Sequence, residues 1–109
     1  MKISLPFRTV STPNAREHWA AKARRSKTER NVTRHMVDYH LKARLSRYTV
    51  VLTRKGPRAL DSDNLAASFK AIRDGVADAI GIDDGSDKVQ WRYRQEKSKT
   101  YSVEIEIGA

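Results

Sequence analysis

The chain has 109 residues, 39% hydrophobic and 32% charged, which suits one folded domain with a modest core and excludes a disordered polymer. It carries 22 Lys+Arg against 13 Asp+Glu, a net charge of +9, so a polyanion such as nucleic acid is the expected partner. There is no cysteine for a disulfide or thiolate metal site, no run approaching the ~18 apolar residues of a membrane span, and no apolar leader after Met1, which together point to a cytoplasmic protein.

In chain order, Ile3, Leu5 and Phe7 alternate with polar positions, and Pro6 suits a strand end, so a first strand is predicted there. The stretch STPN (11–14) breaks regularity. Residues 15–47 read as mostly helical, with 15–25 open between a separate helix and a loop ordered on binding. Ser26 and Glu29 match a capping box, and Val32, Met36, Tyr39 and Ala43 recur at helical spacing. The β-branched run YTVVLTR (48–54) predicts a second strand, and KGPRAL a loop.

A second helix is expected from near Asp63 to Gly81, the glycine ending it. Its apolar stripe is Leu65, Phe69, Ile72, Val76 and Ile80; Asp63, Lys70 and Asp74 share the opposite face, Lys70 and Asp74 as an i,i+4 pair. Beyond DDGSD, alternation at Val89, Trp91 and Tyr93, and again at Tyr101, Val103, Ile105 and Ile107, predicts a C-terminal hairpin. Arg92 and Arg94 would face Glu104 and Glu106 across its outer surface. The expected fold is α+β: a single domain, 1–109, with a small mixed β-sheet and two main helices in β-α-β-α-β-β order, closed by that hairpin.

The acids gather in two knots, DSDN (61–64) and IDDGSD (82–87). One aspartate suffices to cap a helix, so in the first knot Asp61 is surplus to capping, and two carboxylates so close repel unless a cation or proton lies between them. That cation is a lysine, an arginine or a hard metal such as Mg²⁺. The second knot reads either as a turn or as the source of a third carboxylate, Asp84, for a metal site with Asp61 and Asp63. Acid knots within a basic surface are what phosphodiester hydrolysis requires, since a divalent ion there activates water.

At these residues the chain resembles the RusA family of Holliday-junction resolvases. That family has a D-x-D-N motif opening a helix, a lysine along it and a D-D pair after it, matched here by Asp61, Asp63 and Asn64, then Lys70, then Asp83 and Asp84. The LP…PN opening and the basic segment before a helix are similar too. The resemblance implies a Mg²⁺-dependent, structure-selective endonuclease. It would work as a homodimer that nicks two strands of a four-way DNA junction, with Asp61, Asp63 and Asp84 as catalytic metal ligands. Two departures stand out: the interval between the motifs is about two residues longer, and Ala67 occupies the position of the family lysine. Lys70, on the same helix face, is the substitute that helps neutralise the transition-state charge.

Lys22, Arg24, Arg25, Lys27, Arg30, Arg54, Lys55 and Arg58 are expected to grip the DNA backbone by charge. Trp19 and Trp91 are expected to pack, and His18, His35 and His40 lack zinc spacing. The rival readings are a non-catalytic basic DNA-binding module, in which the aspartates are caps and turns, and a protein whose basic face docks an acidic partner.

Overall fold

The computed structural model describes residues 1–9 and 19–109. The STPN stretch, the expected helix start over 15–17 and His18 lie outside the described residues. In order, the elements are β1 (Lys2–Leu5), α1 (Trp19–His40), β2 (Tyr48–Gly56), α2 (Ser62–Ser68), α3 (Lys70–Ile80), β3 (Val89–Lys97) and β4 (Ser102–Gly108). The domain is α+β with a four-stranded mixed sheet, as expected. No helix among the described residues is long and apolar enough to cross a membrane.

The strand order is β1-β4-β2-β3, with β4 antiparallel to both β1 and β2, and β3 parallel to β2. This corrects the hairpin. β3 and β4 are consecutive and run in opposite directions, but β2 lies between them, and the connection crosses the end of β2, where Ser98 N–H donates to the Gly56 carbonyl at 2.9 Å. Arg92 and Glu106 therefore flank Val51, and Arg94 and Glu104 flank Thr53, on one face but two strands apart. Glu104 instead accepts from Lys55 at 2.6 Å, with Lys2 at 3.6 Å. Period-two alternation assigns each strand its face; which strand lies beside it is a long-range choice.

One face of the sheet carries the core. Ile3, Leu5, Val50, Leu52, Val89, Val103, Ile105 and Ile107 meet the expected helical stripe of Leu65, Phe69, Ile72, Val76 and Ile80, all buried. The stripe holds although the second helix is two. The chain leaves helical geometry at Phe69 (φ −96°, ψ 4°), whose fully buried ring stacks 5.9 Å from Tyr93. Gly81 ends α3 in the left-handed region at φ 71°, the conformation for which glycine was expected there.

The first helix departs further from expectation. It runs unbroken through Ser26, so no capping box forms, and its buried residues are Glu29, Thr33 and Val37. Val32 and Tyr39 of the expected stripe are 37% and 74% exposed. α1 is rich in good helix formers and meets α3 closely where Gly75 faces the Arg30 carbonyl and Thr33. It ends at His40, short of Arg47, because tertiary bonds capture the next segment. Arg44 donates to the Ala79 carbonyl and Leu45 N–H to the Tyr48 hydroxyl, both at 2.9 Å.

The Lys55–Glu104 pair gives the open face a pH signature. Its hydrogen bond holds the Glu104 carboxyl below its ordinary 4.5 and raises the Lys55 ammonium above 10.5. Glu104 then contributes stability that is complete above its ordinary value and lost as pH falls through the lower folded one; for Lys55 the loss comes as pH rises through the higher one. Between about pH 6 and pH 3, the urea midpoint of wild type is expected to fall more steeply than that of Glu104→Gln. Parallel profiles would show that the pair contributes nothing.

Candidate functional site

The first acid knot sits where β2 hands over to α2. Asp61 is the N-cap, its Oδ1 accepting from Asn64 N–H at 2.9 Å, and Asp63 lies in the first turn of α2; both carboxylates are exposed. This corrects the expectation that Asp61 is surplus to capping: Asp61 is the cap, and Asp63 stands inside the first turn. The preceding loop is pinned to β3, since the Gln95 side chain accepts from Leu60 N–H at 2.9 Å and donates to the Leu60 carbonyl at 2.7 Å.

The second knot follows α3. Asp83 Oδ1 accepts from Gly85 N–H at 2.9 Å, forming the turn that Asp-Gly chemistry favours. Asp84 has a cation beside it, and that cation is Arg73, a residue sequence reasoning missed. Arg73 Nε lies 3.2 Å from Asp84 Oδ2 with its N–H not aimed at the oxygen. The same guanidinium donates to the Asp84 carbonyl at 2.9 Å and to the Tyr93 hydroxyl at 2.7 Å, and lies 4.7 Å from the centre of the Trp91 ring. Trp91 also donates to the Asp84 carbonyl at 2.9 Å, so it packs as expected, whereas Trp19 is 76% exposed.

Asp83 and Asp84 border a cleft of about 440 Å³ with Arg30, Asp74 and Asp78. Arg30 donates twice to Asp78, at 2.7 and 2.9 Å, and these bonds hold the Asp78 carboxyl below the usual carboxylate range. Lys70 binds Asp74 at 2.9 Å, the i,i+4 pair foreseen from spacing. Asp78 was missed, although Lys70, Asp74 and Asp78 recur every four residues, the signature of one helix face.

Within one copy the three expected metal ligands are not gathered into a cluster. The Asp61 end is fixed at Gln95 and the Asp84 end at Trp91, four residues apart on β3, or roughly 13 Å at about 3.3 Å per step. No group of three His, Asp or Glu among the described residues is placed to hold a metal ion. Asp61, Asp63 and Asp84 are thus not gathered around one point within a single copy. The reason is topological. β2 and β3 are parallel, so the helical crossover starts at one end of the sheet and finishes at the other. Lys70 is exposed and bonds Asp74 at 2.9 Å.

The basic set divides. Arg24 and Lys27 on α1 and Arg58 on the loop are exposed, and Lys22 and Arg25 are half-buried. Two of the expected backbone grips are committed elsewhere, Arg30 to Asp78 and Lys55 to Glu104, and Arg54 is buried, 5% exposed. A basic residue counted in the sequence is a free charge only if its neighbours leave it so, and cross-strand acids such as Glu104 are invisible locally.

No protein-family model matches the chain. It is similar to an uncharacterized protein of Xylella fastidiosa (strain Temecula1 / ATCC 700964), 38% identical over 95 residues, a match that takes in 75% of this chain and 59% of the relative. The chain thus spans less than two thirds of that relative's length.

Proposed function

We propose that this protein is a structure-selective endonuclease acting on branched DNA, with each catalytic site assembled from two copies of the chain. The observation that carries this is the position of the two acid knots, at opposite ends of one parallel strand–helix–strand unit whose outer strand, β3, is an edge among the described residues. If two β3 edges paired antiparallel about a two-fold axis at Tyr93, the Trp91 level of one copy would lie beside the Gln95 level of the other. Asp84 of one copy would then approach Asp61 and Asp63 of its partner. A divalent cation between these carboxylates would supply water activation and charge neutralisation for phosphodiester hydrolysis. The order D-x-D-N, then D-D, in a chain of net charge +9 supports DNA as the substrate. Two sites related by a two-fold axis suit paired nicks in a four-way junction.

The test is incubation of the protein with synthetic four-way junction, fork and duplex DNA, with Mg²⁺ and with EDTA. Nicking of the junction that EDTA abolishes is expected. Asp61→Asn keeps the cap, because asparagine caps as well as aspartate, so it should bind junction normally and cut it at least about a hundredfold more slowly. Unaltered cutting by this variant would remove the acids from the chemistry.

A second reading has its own support. Asp61 caps α2, Asp83 makes a turn and Asp84 pairs with Arg73, so each acid has a structural task. A basic DNA-binding module without catalysis follows, and salt-sensitive binding with no cleavage of any substrate would select it.

A further inference from the structure

The even-numbered residues of β2 face the helices, and Tyr48, Val50 and Leu52 are buried there as alternation demands. The next inward position holds Arg54, also buried, with 5% of its surface exposed. Its Nη1 donates to the Arg58 carbonyl at 2.7 Å and its guanidinium carbon lies 5.8 Å from the centre of the Tyr101 ring. Its Nε is buried with no partner, and none of the ion pairs among the described residues includes it. A carbonyl and a ring face do not neutralise a full charge, and a buried charge without a counter-ion is strongly disfavoured.

The surroundings add positive charge rather than cancel it. Arg54 lines a cleft of about 290 Å³ together with Arg58, Lys97 and Glu96. Glu96, the one acid there, lies 3.6 Å from Lys55. Arg8 lies 4.6 Å from the centre of the Tyr101 ring. The loop that forms one wall is held by Gln95 and leads directly into Asp61.

We infer that this cleft is a phosphate-binding subsite, in which a nucleic-acid backbone phosphate supplies the counter-charge that Arg54 lacks among the described residues. The planar guanidinium suits two phosphate oxygens, and Arg58 and Lys97 flank the anion. The choice of nucleic acid as the source rests on the proposed function, whereas the anion site stands on Arg54 itself. A strand anchored here would pass one short loop from the first acid knot.

The test needs neither metal nor cleavage and is run in EDTA. Wild type, Arg54→Met and Arg58→Ala are melted in sodium phosphate and in sodium chloride of equal ionic strength, and titrated with a short single-stranded oligodeoxynucleotide. Wild type should melt a few degrees higher in phosphate, since a ligand that binds only the folded state stabilises it. Arg54→Met, relieved of an uncompensated charge, should melt in chloride no lower than wild type, lose the phosphate response and bind the oligonucleotide about tenfold more weakly. Arg58→Ala, an exposed position, should reduce both responses without lowering the melting temperature in chloride. A wild type indifferent to phosphate overturns the inference, as does an Arg54→Met that melts far below wild type in both buffers. A phosphate response with unchanged oligonucleotide affinity reassigns the site to free phosphate and overturns the nucleic-acid source. A protein that passes these tests but cuts no DNA keeps the subsite and loses the nuclease reading.

Discussion

Mixing Asp61→Asn chains with Asp84→Asn chains is expected to restore junction nicking that neither variant shows alone. If each site takes Asp61 and Asp63 from one copy and Asp84 from the other, a mixed dimer holds one site with all three carboxylates and one site with two substitutions. Random re-pairing makes half the dimers mixed, so nicking should recover to about one quarter of the wild-type level. The product is diagnostic. A dimer with one working site nicks one strand, so nicked junctions should accumulate without the paired cuts that separate the arms. The substitutions leave the fold in place: asparagine still caps α2, and Asp84 loses only a half-exposed ion pair with Arg73. The chains are co-refolded or co-expressed to exchange partners, then assayed with Mg²⁺. Failure to recover, with both variants folded and able to pair, would rule out a site shared between copies.

Gly75→Ala is expected to destabilise the fold by about 2–3 kcal/mol, the upper range for overpacking a well-filled contact. α1 and α3 cross at this glycine. A Cβ placed there would lie 2.5 Å from the Arg30 carbonyl oxygen and 2.8 Å from the Thr33 Cβ. Real Cβ atoms do not approach so closely, and the first obstacle is backbone, so the helices must separate. Separation loosens Thr33 and Val37, both fully buried, and displaces Arg30 from Asp78. The control is Gly85→Ala, where the added methyl meets only an exposed Asp83 oxygen at 3.5 Å; it should change stability little. Urea unfolding of both variants, with equal m-values, measures the difference. A Gly75→Ala protein as stable as wild type would mean that the helices do not cross so closely.

The two results bear on different parts of the molecule but share a lesson about spacing. The acid knots were read as neighbours because they are prominent in sequence. The helical residues between them already implied otherwise. α2 and α3, with the break at Phe69 between them, carry the chain from one knot to the other. Gly75 gave the opposite error. It sat unremarked inside a helix, although a glycine there is disfavoured unless something approaches its Cα.

Local chemistry was legible where it depends on near neighbours. Alternation located β1, β3 and β4, β-branched content located β2, and the period of α2 and α3 placed Leu65, Ile72, Val76 and Ile80 in the core. Gly81 declared itself a helix stop and Lys70 a partner for Asp74. Each follows from dihedral preferences, or from side chains three or four residues apart, which the sequence by itself determines. Tertiary structure alone decided that β2 inserts between β3 and β4, that Glu104 belongs to Lys55, that Arg73 attends Asp84, and that Arg54 is turned inward without a counter-ion among the described residues. These are choices among partners far apart in the chain, and the apolar pattern that drives collapse is the same for every strand order, so only the packed sheet selects between them.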